Sequence, residues 1–201
     1  MIDTKDKILQ TAENLFAGQG IATTSLRQII AKAEVNLAAI HYHFGSKEDL
    51  LDDLVRRKAE PVNQERMARL DRLEREAAGE SPTVDAILQA FLLPMAEVAT
   101  GDPQFVRVMG RVHAEGLMPA IVQKHFYPTA QRFIVAMRRA LPEVPEAEFL
   151  WRVHFMMGAM AHTMCGTPIF PAASEDFHGR IMKLVRFLSG GFRAPAGAGE
   201  E

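Results

Sequence analysis

The sequence predicts an all-α protein. Apolar residues recur at the i, i+3/i+4, i+7 spacing of helix faces, and no run alternates with period two. Gly and Pro fall mostly between these periodic segments, where they punctuate helices. The expected architecture is an N-terminal three-helix helix-turn-helix domain at residues 1–50, then a helical domain at 51–190, with about nine helices, and a disordered tail at 191–201. With 201 residues, 48% hydrophobic and 24% charged, the chain has the profile of an ordinary globular protein. No apolar run approaches the roughly 18 residues that span a bilayer. Asp3, Lys5, Asp6 and Lys7 interrupt any apolar leader. The lone Cys165 excludes an internal disulfide framework, suits a reducing cytoplasm, and reads most simply as a small buried hydrophobe. A net charge of −2 gives no general bias toward nucleic acid.

Helix 1 is expected from Thr4, as N-cap, to about Ala17, with Ile8, Ala12, Leu15 and Phe16 inward and Gly18 and Gly20 ending it. Thr24 or Ser25 caps helix 2, whose inner face is Leu26, Ile29, Ile30 and Ala33. Glu34-Val35 turns the chain, and Asn36 caps helix 3 with Ile40 and Phe44 inward. Leu37, Ala38, Ala39, His41 and Tyr42 then point partly outward, and the small alanines permit close approach to a surface. Gly45 allows a bend, and Ser46 caps helix 4, with Glu48 and Asp49 suiting the helix dipole. Helix 4 should reach Ala59, with a kink or restart at Pro61 and the domain boundary within it at residues 47–60. A thin stripe of Met67, Leu70 and Leu73 marks a helix with one narrow buried edge.

Beyond the loop at 78–82, Ser81 is expected to cap a helix with Val84, Ile87, Leu88, Phe91, Leu92 and Met95, bent at Pro94. Asp102-Pro103 starts the next helix, which carries Phe105, Val108, Met109 and Val112 and breaks at Gly116 and Pro119. Segments with Ile121, Val122 and Phe126, then Phe133, Ile134, Met137 and Leu141, follow. The helix over about 145–164 is apolar on most sides, so it is either central or lines a subunit interface. Ser174 caps a last helix with Phe177, Ile181, Leu184, Val185 and Leu188, ended by Gly190-Gly191.

Residues 4–58 resemble the DNA-binding domain of the TetR family of transcriptional regulators. The matching residues are Ile8-Leu9, Ala12, Leu15-Phe16, Gly20, Thr24-Ser25-Leu26, Ile29, Val35 and, above all, Tyr42-His-Phe-Gly-Ser-Lys-Glu48 with Leu50-Leu51. The stretch Asn36-Leu-Ala-Ala-Ile-His-Tyr-His-Phe44, with Glu60-Pro-Val-Asn-Gln-Glu-Arg66 and Leu150-Trp-Arg-Val-His-Phe-Met-Met-Gly158, resembles the PsrA-like, fatty-acid-responsive branch. The chain departs from the family at three positions. His41 stands where a tyrosine is usual, Ala38 replaces a common glycine and Ala39 a common threonine. A phosphate contact through His41 becomes pH-dependent when it charges.

The resemblance implies a dimer on a palindromic double-stranded operator, acting as a repressor. Thr24, Ser25, Tyr42 and Lys47 are assigned to phosphates, and His41 to the same surface. Arg27, Asn36, Leu37 and Ala38 are assigned to base edges or nearby backbone. Positive groups must be placed rather than abundant, so Glu48, Asp49, Asp52 and Asp53 are expected to face away from DNA. The resemblance also implies a helical effector domain and a homodimer through the last two helices. The stripes of Met156 and Met160 and of Ile181, Leu184, Val185 and Leu188 offer more apolar area than one small domain needs. Phe91, Met95, Phe105, Met109, Met118, Phe126, Phe133 and Phe155 are candidate pocket walls, since Met and Phe adapt to an acyl chain. His113, Arg107, Arg111 or Arg152 would meet an acidic head. A small apolar effector such as a fatty acid or acyl-CoA is expected, with no cofactor, no metal and no membrane.

The alternative reading is a helical small-molecule or lipid-binding protein without DNA function. An enzyme is disfavoured. Glu175-x-x-His178 occurs once where di-iron bundles need two copies, His154 and His162 are not spaced as a local metal pair, and there is no phosphate loop or nucleophile motif.

Overall fold

The structure, a computed structural model, describes residues 3–165 and 176–196, except for the side chains of Leu37, Ala39 and Cys165. The described residues form ten α-helices and one π-helical turn, with no strand among them: α1 Thr4–Gln19, α2 Leu26–Ala33, α3 Leu37–His43, α4 Lys47–Glu76, α5 Val84–Gly101, α6 Pro103–Ala114, α7 Met118–Ile121, the π turn Val122–Phe126, α8 Tyr127–Ala140, α9 Glu146–Cys165 and α10 Phe177–Arg193. The all-α expectation holds. Contacts divide the chain into two compact units, residues 1–61 with 102–126, and residues 62–101 with 127–201. The sequence places a boundary at residue 50 and keeps 51–190 together. The contacts instead group α6, α7 and the π turn with the N-terminal helices.

In the first unit α1 begins at Thr4 with Asp3 at the N-cap position, one residue earlier than expected and without a side-chain cap. Ile8, Ala12 and Phe16 are fully buried. Gly20 ends α1 at φ +99°, its N–H donating to Phe16 O. Ser25, not Thr24, caps α2 in a reciprocal capping box with Gln28. Glu34 takes a left-handed φ of +50° to make the turn. Ile40 and Phe44 are buried, as the i, i+4 pair requires. Ser46 caps α4: its Oγ accepts from Asp49 N–H (3.0 Å) and donates to the Asp49 carboxylate (2.6 Å).

Of the kink or restart expected at Pro61, the restart does not occur, because α4 reads through Pro61 to Glu76. Pro61 is exposed, so the carbonyl that loses its partner can turn to water, and buried Val55, Ala59 and Val62 carry the apolar face across it. In α6 Asp102 caps through Phe105 N–H (3.0 Å) with Pro103 in the first turn, as expected. Phe105, Val108, Met109 and Val112 are buried.

In the second unit Thr83 caps α5 through Ala86 N–H (3.3 Å), whereas Ser81 donates to Arg139 O (3.1 Å). The expected cap at Ser81 is therefore two residues early. The start of α10 is capped by Asp176 through Gly179 N–H (2.7 Å), and Ser174 lies outside the described residues. Gly190-Gly191 does not end α10, which continues to Arg193. Glycines cost a helix about 1 kcal/mol each, and burying Phe192 beside Phe149 outweighs that.

The core joins Leu70, Leu88, Leu92, Phe133, Phe149, Ile181 and Val185. α5 has 18 residues of mean hydropathy 1.3, enough by length and composition to cross a bilayer, and 56% of that window is buried in the fold. Arg66, 1% exposed, lies across Phe91 (4.0 Å to the ring centre) and donates Nε–H to Phe91 O (2.8 Å). Burial pushes its pKa down to about 9, which still leaves a cation at neutral pH.

Candidate nucleic-acid interface and effector region

Loop 20–24 and helices α2 and α3 form the candidate reading head. Ser25 is exposed, but its hydroxyl is engaged in the α2 cap. Thr24 is 1% exposed, and its hydroxyl donates to Gly20 O (2.6 Å) and accepts from Gln19 (3.1 Å). The loop thus uses the Thr24 hydroxyl internally instead of presenting it on the surface. Arg27, Asn36, Ala38 and His41 are exposed, and Tyr42 is 85% exposed with its ring edge-on to His43. His41 Nδ1 lies 3.2 Å from Gly45 O, which orients the imidazole. The Leu37 side chain lies outside the described set.

Lys47 occupies the first turn of α4, yet its ammonium is turned inward. It donates to Ile21 O (2.9 Å) and Thr24 O (3.0 Å), with Ala22 O at 3.5 Å. Two of the three ammonium donors are thus engaged at close range by the loop carbonyls. The same loop is held from its amide side by Glu115, whose two oxygens accept from Ile21 N–H and Ala22 N–H, each at 2.8 Å. Sequence reasoning missed Glu115. A carboxylate more than 90 positions from its partners leaves no periodic trace.

Glu48 and Asp49 are exposed. Asp52 is paired with Lys124 (2.9 Å) and His125 (2.8 Å), and Asp53 with Arg56 and Lys5 (3.0 Å). Partial burial pushes both carboxyls up, but these bonds outweigh it and hold both below the usual carboxylate range. The negative charge in the second turn of α4 is thereby partly neutralised within the unit.

The expected effector residues fall into two sets. Phe105, Met109 and Phe126 are buried in the first unit, where Met118 is half-buried and His113 exposed. Phe91, Met95 and Phe133 are buried in the second, with the Phe91 and Phe133 rings 5.0 Å apart. Phe155 belongs to neither interior. It is 62% exposed and stacks on Trp151. Of the expected head-group residues, Arg107 and Arg111 are exposed and Arg111 donates to Gly18 O (3.2 Å). Arg152 is buried and donates to Phe192 O (2.8 Å).

The expected dimer stripes turn inward. Ile181, Leu184, Val185, Leu188 and Met156 are buried in the core of their own unit, and Met160 packs against it. Both helices need those faces to close the unit. Their outward apolar residues are instead Leu150, Trp151 and Phe155 on α9 and Phe187 on α10, each more than half exposed. Among the described residues, no three His, Cys, Asp or Glu side chains cluster as a metal site, and Glu175 lies outside that set.

Two family patterns match this chain: "Bacterial regulatory proteins, tetR family" over residues 8–54 and "Tetracyclin repressor-like, C-terminal domain" over residues 85–191. The chain belongs to the TetR family. Among curated relatives, this TetR-family chain is 44% identical over 54 residues to the probable HTH-type transcriptional regulator YttP of Bacillus subtilis. It is 48% identical over 44 residues to the HTH-type transcriptional repressor Rv3405c of Mycobacterium tuberculosis. These matches cover 27% and 22% of this chain, and 26% and 23% of the relatives, so the chain spans about a quarter of the length of the curated relatives it matches. Among solved structures, the fold is similar to the fatty acid degradation regulator FadR of Bacillus halodurans, with a TM-score of 0.66, 15% identity and coverage of 97% and 99% of the two chains. A TetR-family regulator from Syntrophomonas wolfei gives 0.62 at 18% identity, covering 98% of each chain. At such identities the likeness concerns the fold alone.

Proposed function

We propose that this TetR-family chain is a transcriptional repressor that binds a palindromic operator as a homodimer in the cytoplasm and is released by a small apolar effector. The observation that carries the reading is the head itself. A capped α2 and a short α3 expose Arg27, Asn36, Ala38, His41 and Tyr42, while the apolar residues Ile29 and Ile40 are buried beneath them. Arg27 and Asn36 supply donors that suit base edges or phosphates, and the hydroxyl of Tyr42 suits a phosphate. Ala38 lets the α3 backbone come close to the groove wall. Thr24 and Lys47 support this surface from within and do not reach DNA themselves.

The dimer forms through the outward face of α9 and α10, with Trp151, Phe155, Leu150 and Phe187 covered by the second copy. Aromatic residues are what a protein–protein contact gathers at its centre. The effector is an acyl compound, a fatty acid or its CoA ester, received by Phe and Met side chains of the helical domain. The PsrA-like residues and the adaptable apolar side chains support that class. Helix α4 carries the first residues of the head's support at one end and buried Arg66 and Leu70 at the other, so an effector that binds two arrangements of α4 unequally controls the head.

The test is selection of DNA by the full chain from a random pool, followed by titration at moderate salt with and without palmitate or palmitoyl-CoA. A palindromic consensus, bound as a dimer and released by either compound, is the expected result. Absence of any enriched sequence overturns the repressor reading, and an operator complex indifferent to both compounds overturns the effector class.

A further inference from the structure

We infer that Glu115, the residue that closes α6, is a positioning residue for DNA reading: its carboxylate ties the end of α6 to the loop that sets α2. This rests on the DNA-binding reading above. The geometry begins after Gly20, which takes φ +99° where α1 ends. The amides of Ile21 and Ala22 follow, and each donates to one oxygen of Glu115 at 2.8 Å. Bonds of this kind to a charged acceptor are roughly twice as strong as neutral ones. The fit is close, since a Cβ added to Gly20 would stand 2.8 Å from Glu115 Oε1.

The carbonyls of the same loop belong to Lys47, the first residue of α4. An acid from the end of α6 and a base from the start of α4 therefore hold five residues of backbone from opposite sides. Thr24, buried in that loop, immediately precedes the Ser25 cap of α2. Any displacement of the loop thus moves the start of the reading head.

α6 can pass on such a displacement because it is bound to α1 along its length. Gln104 donates to Asn14 (3.1 Å) and Arg111 to Gly18 O (3.2 Å), both on α1, while Asp102 at its N-cap pairs with Lys58 of α4. Arg111 and Glu115 are one turn apart, so both polar ties lie on one face of the helix. Glu115 differs from the ties before it in reaching past α1 to the loop. Without it, α6 would hold α1 but leave the two loop amides to water.

The test uses the full chain, amide hydrogen exchange read at single residues, and DNA selected by the unaltered protein. In Glu115→Ala, exchange at Ile21 and Ala22 is expected to rise roughly 10- to 100-fold, with α1 and α6 amides changed less than about threefold. Affinity for the selected DNA should fall about 5- to 20-fold, with base preference and salt slope unchanged, because Glu115 touches no phosphate. Glu115→Gln keeps one acceptor oxygen and should fall between the two in both readouts; it also serves if the alanine chain does not fold. Uniformly faster exchange across α1 and α6 would show a merely structural residue and overturn the inference, as would faster local exchange with unaltered affinity. A glutamine variant indistinguishable from the unaltered protein in both readouts also overturns it. If the unaltered chain selects no DNA, the repressor reading fails first, and the exchange readout still reports whether the tie exists.

Discussion

Trp151→Ala tests the dimer face most directly. Trp151 is 57% exposed, which leaves roughly 140 Å² of a ~250 Å² side chain open on each copy. If about two thirds of that is covered by the partner, truncation on both sides of a two-fold contact forfeits roughly 190 Å², or about 5 kcal/mol per dimer at ~25 cal/mol per Å². Truncation of a tryptophan at the centre of an interface costs about 2–4 kcal/mol per copy, so two copies give a similar figure. The dimer dissociation constant should therefore rise about 10³- to 10⁴-fold. Sedimentation velocity over a wide concentration range reads this, with circular dichroism to show that the variant keeps its helices. Ile181→Ala is the control from the inward stripe. Fully buried in its own unit, it should lower the unfolding midpoint by an amount worth about 2–5 kcal/mol and leave dimerisation of the folded fraction unchanged. A Trp151→Ala chain that dimerises like the unaltered protein, or an Ile181→Ala chain that folds fully and falls apart into monomers, would refute the assignment of the two faces.

Three further outcomes are expected. Lys47→Ala should destabilise the protein by about 1–3 kcal/mol in a denaturant melt, and its DNA salt slope should move by less than about one unit, since the ammonium serves loop carbonyls; a full unit lost with stability intact would make it a phosphate contact. Tyr42→Phe should leave the thermal midpoint unchanged and weaken binding to all sequences about 3- to 10-fold by titration, and a change of base preference would contradict a phosphate role. Acid should weaken the fold. Asp52, Asp53 and Asp102 are held below the ordinary value of 3.8, so the unfolded chain binds more protons, and their contribution is present above that value and lost as pH falls through the folded values. Glu13, raised from 4.5 chiefly by burial, acts in the opposite sense, its contribution fading as pH rises through its folded value. Urea midpoints at pH 7, 4.5 and 3 should fall between the last two, and a rise there would overturn the pairing argument.

Local chemistry made much of the fold legible in the sequence. The head's order of helices, the Gly20 stop, the Ser46 cap and the Asp102-Pro103 start each follow from residues within a turn of one another, and such short-range signals survive in a linear text. Where local signals failed, packing overrode them. α4 passes Pro61 because its apolar face continues on both sides, and α10 passes Gly190-Gly191 because Phe192 is buried beyond them.

By itself the sequence determined that the chain is helical, that its N-terminus carries a TetR-type head, and that Ala38, His41 and Tyr42 face outward on α3. Only the tertiary structure decided which side of α9 and α10 is inside. A helix apolar on most sides gives no sign of which face its neighbours will claim, and here Ile181 and Met156 went to the core while Trp151, Phe155 and Phe187 stayed out. The tertiary structure also turned Lys47 and Thr24 inward and brought Glu115 to the amides of Ile21 and Ala22. The contacts of Lys47 and Glu115 join the start of α4 and the end of α6 to the loop after α1, and no spacing along the chain encodes a meeting that only folding creates.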